Sequence, residues 1–512
     1  MEGKIPQRKI EDWIINNQTS PEFSREVNET LILYKDLIEL IIYCIINQTL
    51  IIYISFKMTK ERQPRGEIEE ILEITPISHL GERKGKKVEV GGWVFTLRDQ
   101  KRMGFIVLRD PTGLVQIAVD KKVDPHLGET LHRLTSESVI RVRGIVVENL
   151  DVKLGGLEII PEEIKVESIA DPNLPIPTKG KPSSLAQRLD WRFLDLRRPE
   201  NFLIFQVQTT TEQAMREYWL REDFIEIHSP KIMGVPSESG AELFEIANYF
   251  GQHAYLAQSP QLYKQYAIAA GFPRVFEIGP VFRANPSFTA RHDTEFTSVD
   301  VEIGFINSHH DVMAFEERWL KYVLEKLAEE YNPRIKEIYG TQIRVPSIPF
   351  PKITMEEAQR ILKKEIAHTP PPDTKPGDLD PEGERLLGRY VLEKYGHEFV
   401  FVTDWPASVR PFYHMKDPKR SELTRSFDLL YKGMEITTGA QREHRYEVLI
   451  RQAEGKGFNL EPIKFYLDIF RYGIPPHGGY GFGLTRMLMQ IFGIKNVREV
   501  TFLYRGPNRL TP

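Results

Sequence analysis

The chain has 512 residues, 41% hydrophobic and 27% charged, enough to bury a sizeable core over two or three domains. A net charge of −4 excludes a global basic field, so a nucleic acid would have to be met by local patches. The single cysteine, Cys44, excludes an intramolecular disulfide and a cysteine-based zinc site, and fits a reducing cytoplasm.

Residues 1–57 differ from the rest. The stretch "LIELIIYCIINQTLIIYISF" has the length of a membrane span. Glu39, Asn47, Gln48 and Thr49 interrupt it, and no basic leader with a small-residue cleavage site precedes it. An anchor, a folded appendage and an upstream extension before a natural start at Met58 are the three readings. We adopt the last, so residues 1–57 are expected to lie outside the folded protein and no membrane partner is expected.

From residue 72 to 170 the pattern is β. "KVEVGGWVFTL", "GFIVLRD", "LVQIAVD", "SVIRVRGIVVE" and "LEIIPEEIKVES" alternate apolar and polar residues, and "DPTG" is a turn. Five short strands suggest a small closed barrel of the OB type, which often binds oligonucleotides. A barrel that only mediates contacts is the alternative. "DPNLPIPTKGKPSS" opens a hinge over 171–190.

Residues 191–512 read as an α+β domain. "LAQRLDWRFLDLRRPENFLIFQVQTTTEQAMREYWLRED" has helical spacing, and "FIEIHSPKI" switches to a strand ending at Pro230. Strands follow in "HAYLAQSP", "RVFEIGPVFRA", "EFTSVDVEIGFI", "EFVFVTDWP" and "TRSFDLLYKGMEITTGAQR", with a long amphipathic helix over 309–331. A Pro- and acid-rich loop over 369–384 precedes helix "RLLGRYVLEKYG". Consecutive strands joined by hairpins imply an antiparallel sheet with flanking helices.

Four constellations carry chemistry. The hairpin "FRANPSFTARHDTEF" holds Arg283, Arg291 and His292, with Phe288 and Phe296 as flat apolar surface. Fixed guanidinium forks suit a polyphosphate; pairing with local acids such as Asp293 and Glu295 is the alternative. Asp428 and Glu435 flank a turn at Lys432-Gly433, and two carboxylates that share a substrate's phosphates are how Mg²⁺ is usually held; two solvated acids are the alternative. Gly478, Gly479, Gly481 and Gly483 lead into a helix carrying Arg486, which would allow a ligand close to the backbone. Finally, Gln258, Gln261 and Lys264 stand where a strand gives way to a helix, and Lys264 with Arg442 would form a small cationic pocket for a small acid.

On these residues the chain from about Lys86 to Pro512 resembles the class II aminoacyl-tRNA synthetases, specifically the archaeal and eukaryotic-like aspartyl type. "FIEIHSPKI" looks like motif 1, the Arg283 hairpin like motif 2 and "GGYGFGLTR" like motif 3. "QSPQLYKQ" is the aspartyl form, where asparaginyl enzymes usually carry Ser-Gly. The resemblance implies an N-terminal OB-fold barrel for the anticodon and a class II antiparallel-sheet catalytic domain. It also implies a cytoplasmic homodimer that joins L-aspartate to tRNA(Asp) with Mg²⁺ and ATP.

The family's residue roles then follow by resemblance. Arg283 would meet the α-phosphate and the substrate carboxylate. Asn285, Arg291, His292, Asp293, Glu295, Phe296, Gly483 and Arg486 would contact ATP. Asp428, Glu435 and Thr438 would hold Mg²⁺. Glu238, Gln261, Lys264, Arg283, Asp300, Thr438 and Arg442 would surround aspartate. Asparagine would be rejected because it leaves Lys264 and Arg442 without a carboxylate. Phe105, Gln116 and Glu158 match the anticodon-reading positions.

Two departures stand out. Asn285 replaces the usual Glu of motif 2. Phe95 stands where enzymes strict for their own tRNA carry Trp, while Lys153 matches the strict pattern. The two signals conflict, and the balance falls on a relaxed enzyme that also aspartylates tRNA(Asn). The rivals are an asparaginyl enzyme and a non-catalytic nucleic-acid-binding paralogue.

Overall fold

The computed structural model describes residues 73–235, 242–286 and 289–512. The expectations for residues 1–57, Glu238 and Phe288 therefore lie outside the described residues. Among the described residues no helix is long and apolar enough to cross a membrane. The chain divides into two units at Ala170/Asp171.

In the first unit β1 (Lys87–Asp99), β2 (Met103–Asp110), β3 (Gly113–Asp120), β4 (Val139–Glu148) and β5 (Leu157–Ser168) close a barrel in the order β1-β2-β3-β5-β4. The alternation read in the sequence puts Val88, Val90, Ile106, Leu108, Val115 and Ile117 in one buried cluster. Helix α1 (Pro125–Arg133) was not foreseen in this all-β stretch. The Asp124 side chain caps it by accepting from the Leu127 N–H, and Leu127 and Leu131 join the barrel core.

The second unit begins with the segment expected as a hinge, and that segment is fastened to its own unit. Ile176 and Thr178 are buried, and Arg198 donates to the Gly180 carbonyl at 2.8 Å. The helical stretch after it is broken into two short turns, Leu185–Asp190 and Arg192–Asp195, before α2 (Pro199–Arg221). Buried Arg192 explains the break: it pairs with Asp195 at 2.6 Å and donates to the carbonyls of Glu499 and Thr501, both at 2.9 Å.

The next strand is shorter than expected. β6 is only Ile225–Glu226, because the Ser229 N–H is taken by the Glu277 carboxylate at 3.1 Å rather than by a ladder. A small sheet of β7 (Ile232–Met233), β8 (Glu245–Tyr249) and β9 (Gln252–Leu256) follows, then α3 (Gln261–Ala269).

The main sheet adds β10 (Arg274–Phe282), β11 (Glu295–Gly304), β12 (Lys352–Thr354), β13 (Phe399–Thr403), β14 (Ser426–Tyr431), β15 (Met434–Gln441) and β16 (His477–Gly483). Its order is β12-β13-β14-β15-β16-β11-β10-β6, antiparallel except for the edge pairs β12/β13 and β10/β6. Helices α4 (His309–Tyr339), α5 (Pro381–Tyr395), α6 (Tyr446–Gly455), α7 (Lys464–Arg471) and α8 (Leu484–Phe492) flank it. Helix α4 passes through Pro333 and ends eight residues beyond its expected limit.

Period-two alternation gives this sheet two unlike faces. Val299, Val301 and Ile303 of β11, Phe427 and Leu429 of β14, and Tyr480 and Phe482 of β16 pack with Trp219 of α2 and Trp319 of α4. Between them on the same strands stand Asp300, Glu302, Asp428 and Gly481. The chemistry is thus carried by the face that those two helices leave uncovered.

Two glycines let α5 rest on the β14–β15 turn. Lys432 and Gly433 both have positive φ, 49° and 76°, as a two-residue hairpin turn requires. A Cβ at Gly388 would lie 2.4 Å from the Gly433 Cα. Gly388→Ala should therefore push α5 off the turn and cost about 1–3 kcal/mol, seen as a lower urea midpoint.

Glu316 of α4 is a buried acid within the apolar layer, and among the described residues neither carboxylate oxygen has a hydrogen-bond partner within 3.5 Å. Burial, opposed by the nearby Thr437 hydroxyl and helped by Glu317 and Asp428, pushes its pKa from the ordinary 4.5 to about 8. Between these values the folded state holds a proton that the unfolded state releases, so stability falls as pH rises through the window. Glu316→Gln removes that loss. The gap in melting temperature between variant and wild type should widen in the variant's favour from pH 5 to pH 8 and level off beyond.

Candidate active site

The Arg283 hairpin forms as expected: Phe282 pairs with Glu295, and the Arg283 N–H donates to the Thr294 carbonyl at 2.9 Å. Arg283 is exposed and makes no ion pair among the described residues; its guanidinium lies 5.6 Å from the Phe296 ring. Asn285 stands two residues along the same loop, and Glu295 is exposed at the head of β11. Arg291 ignores the nearby acids and pairs with Glu384 of α5 at 3.1 Å. His292 bonds Thr289, and burial followed by the Arg486 charge lowers its pKa, so it is neutral. Asp293 is turned elsewhere. It is buried, accepts from Thr501 at 3.2 Å, and burial raises its pKa to about 7. It braces the loop against the C-terminal segment.

The acid pair meets because of an irregularity in β15. Asp428 pairs with Thr438, but the register shifts before Leu430 pairs with Glu435. In a regular strand Glu435 and Thr438, three apart, would face opposite ways. The bulge puts them together, and Thr438 Oγ1 donates to Glu435 Oε1 at 3.1 Å. Asp428 is buried, with Oδ2 held by Arg410 at 2.7 Å and Oδ1 without a partner. Burial, opposed by Arg410 and helped by Glu435, raises its pKa to about 6.

Glu384 completes the cluster. It accepts the Glu435 N–H at 3.0 Å, and burial together with Glu435 raises its pKa to about 7. Carboxylates crowded this way, one with an orphan oxygen, fit a divalent cation. Among the described residues no group of three or more acid, imidazole or thiol side chains is placed to hold a metal alone.

Lys264 and Arg442 do come together on a shared acid, and each already has a counter-charge in the protein. Lys264 donates to Asp300 and to the carbonyls of Tyr480 and Val301, at 3.0, 3.0 and 3.3 Å, which uses its three N–H groups. Arg442 grips Glu302 with Nε and Nη2 at 3.0 and 3.2 Å and reaches His414 Nε2 at 3.1 Å. Two buried cations without counter-charges would be too costly to fold, so β11 supplies acids at 300 and 302. Burial opposes ionisation of Glu302, yet Arg442 and Lys264 hold its carboxyl below the usual range. Ser298 bonds Asp300, and Gln261 donates to Gln265 at 2.9 Å.

The glycine run is strand β16, and part of it serves the protein. A Cβ at Gly479 would lie 2.0 Å from the Val301 carbonyl and 2.5 Å from Glu302 Oε2. A Cβ at Gly481 would meet only Asp300 Oδ1, at 3.5 Å. Gly483 ends β16 at the N-cap of α8, and Arg486 in the first turn of α8 pairs with Glu435 at 3.3 Å. Glu302, Glu384, Arg410 and His414 were missed in the sequence. Glu302 had a signal, its period-two spacing from Asp300.

On the barrel, Gln116 pairs across to Glu158 and donates to it at 3.0 Å, and Asn149 takes the other oxygen at 3.0 Å. Phe105 is half-buried, with Arg98 5.6 Å from its ring. Phe95 sits at the bulge of β1, under Arg109 at 5.4 Å, and Lys153 is exposed in the β4–β5 turn.

Residues 184–505 match the family of class II tRNA synthetases for D, K and N, and residues 88–167 match the OB-fold nucleic-acid-binding domain of the anticodon type. The chain is 43% identical over 433 residues to the aspartate–tRNA(Asp) ligase of Thermococcus kodakarensis, covering 84% of this chain and 97% of that one. It is 46% identical over 435 residues to the aspartate–tRNA(Asp/Asn) ligase of Methanopyrus kandleri, with the same coverage. Among solved structures, asparaginyl-tRNA synthetase of Pyrococcus horikoshii with asparaginyl-adenylate superposes with a TM-score of 0.79 at 31% identity, over 86% of this chain and 100% of that one. Aspartyl-tRNA synthetase from Entamoeba histolytica gives 0.76 at 30% identity, over 88% and 95%.

The shared acid makes a sharp test. Glu302→Gln leaves Arg442 and Lys264 facing a neutral amide in a sealed site, and should cost about 3–5 kcal/mol in urea unfolding.

Proposed function

The chain belongs to the class II tRNA synthetases of the aspartate, lysine and asparagine group, and on that premise we propose how its residues divide the work. It is an ATP-dependent aspartate–tRNA ligase with an OB-fold anticodon-binding domain, and aspartate, ATP and tRNA are its substrates. We assign Arg283, exposed and without an ion pair among the described residues, to the α-phosphate and the aspartate α-carboxylate. Arg291 and neutral His292 take the outer phosphates, Arg291 exchanging Glu384 for them. Phe296 and Arg486 sandwich the adenine, with Asn285, Glu295 and Gly483 beside it. Asp293 is better read as a brace of the loop than as an ATP contact.

Asp428, Glu435 and Thr438 are the groups that would hold Mg²⁺, which when bound neutralises phosphate charge. The aspartate α-carboxylate is already a nucleophile, so no side chain need act as a base. The obstacle is repulsion between two anions, and Arg283 reduces it while holding them in line. Attack of the carboxylate on the α-phosphorus expels pyrophosphate and leaves aspartyl-adenylate, from which a terminal ribose hydroxyl of tRNA displaces AMP.

The observation that carries the amino-acid assignment is the buried chain Lys264–Glu302–Arg442. Arg442 has N–H groups left over after Glu302 and His414, and these suit the aspartate side-chain carboxylate. Lys264, fully bonded, acts through its charge, and Gln261 and Asp300 line the same side. Asparagine would leave the Arg442 donors facing an amide, which sets the selectivity. We assign Phe105, Gln116 and Glu158 to the anticodon, and take the protein to be a cytoplasmic homodimer. Phe95, smaller than Trp, favours the relaxed reading in which tRNA(Asn) is also aspartylated, against the signal of Lys153.

The test is aminoacylation by the full chain with radiolabelled aspartate, ATP, Mg²⁺ and separate tRNA(Asp) and tRNA(Asn). Charging of both at comparable kcat/KM is expected; charging of tRNA(Asp) alone would make the enzyme strict, and charging with asparagine instead would overturn the assignment. Arg442→Lys keeps the buried charge but loses the fork. It should lose about 1.5–3 kcal/mol of transition-state binding, roughly 10- to 150-fold in kcat/KM for aspartate.

A further inference from the structure

Beside Arg442 lies a cavity of about 220 Å³, lined among others by Phe412, His414, Lys416, Arg451, Gln452 and Lys456. His414 is 3% exposed and faces Arg442 Nη1 through Nε2. A guanidinium only donates, so Nε2 accepts and the imidazole proton sits on Nδ1. That Nδ1 has no partner. Burial, then the charge of Arg442, lowers the His414 pKa well below its usual value, which keeps the ring neutral.

Gln452, also buried, spends its Nε2 on the carbonyls of Phe412 and His414, at 2.6 and 3.1 Å, and its Oε1 has no partner. The cavity is thus lined by side chains holding one buried donor and one buried acceptor, both unused among the described residues. Its rim is cationic. Lys416 and Arg451 make no ion pair among the described residues. Lys456 donates to the carbonyls of Ala407 and Ser408, and burial followed by Lys416 and Lys375 lowers its pKa. A lone water would satisfy the buried donor and acceptor, but three cations border the same cavity, and that charge favours an anion in it.

We propose that this cavity binds a small protonated oxyanion, hydrogenphosphate, held by Lys416, Arg451, Lys456 and His414 Nδ1–H, its own hydroxyl donating to Gln452 Oε1. An anion on Nδ1–H makes Nε2 a stronger acceptor and steadies Arg442. Phosphate then tunes aspartate binding, a step that rests on the assignment of Arg442 to the aspartate carboxylate.

The site is tested by equilibrium dialysis of labelled inorganic phosphate against the full chain and against Lys416→Met/Arg451→Met, whose side chains are both exposed. Phosphate held by Arg283 and Arg291 is common to both proteins. Wild type should bind one more phosphate per chain, and equal stoichiometry overturns the site. Sulfate carries no proton at neutral pH and should compete there about tenfold more weakly; equal competition overturns the hydroxyl–Gln452 contact and with it the ligand class.

The coupling is read in aspartate-dependent ATP–pyrophosphate exchange. Phosphate should change the KM for aspartate at least about fivefold in wild type and not in the double variant; an unchanged KM overturns the coupling. If exchange is absent altogether, the functional reading fails while the dialysis still decides the site.

Discussion

Glu302 has no exposed surface and touches two cations, and much of the second unit is arranged to make that possible. β11 places it one alternation from Asp300, so both acids enter the same layer. Lys264 arrives from α3 and Arg442 from the end of β15. β16 then carries glycine at 479 because a Cβ there would strike the Val301 carbonyl first and the Glu302 carboxylate next. That glycine of the third motif is therefore a requirement of the neighbouring strand, its backbone and its buried charge, rather than a cradle for a ligand. Cations this deeply buried can be kept dry only if the protein supplies the counter-charges itself, and on the proposed reading that is what lets the site tell a carboxylate from an amide.

Much of this could be read in advance. The barrel followed from five alternating runs, and the sheet from hairpins in series. The Arg283 hairpin, the Asp428–Glu435 pair and the Lys264–Arg442 pair all lie where the chain pattern put them. Contacts that depend on long-range partners could not be read that way. Nothing local says that Arg291 will choose Glu384, ninety-three residues away, over its adjacent acids, or that Arg410 will hold Asp428. Asp293 read as part of a phosphate loop because Arg291 and His292 stand beside it; the structure buries it against Thr501 instead.

Two misses had a readable cause. Helices α1 and α5 both open with Asp-Pro, at 124–125 and 380–381, an N-cap followed by a residue preset for the first turn. In the first case the all-β context hid the signal. In the second the Pro-rich loop hid it, and with it the fact that Glu384 sits on a helix, aimed at the Glu435 N–H. Prolines and lysines read as a linker at 171–190, and no local signal shows that Arg198 holds the Gly180 carbonyl.

The bulge in β15 has a wider meaning. A strand is a counting device, since each residue's parity decides which layer it serves. By inserting one uncounted residue, this strand resets its parity midway. The residues after the bulge keep step with Asp428 and the amino-acid site, while Glu435, before it, is brought into the same layer from what would have been the opposite one. Sequence comparison by spacing alone will therefore misjudge this strand in any relative that lacks the extra residue, because the same two letters at the same interval would face opposite sides of the protein.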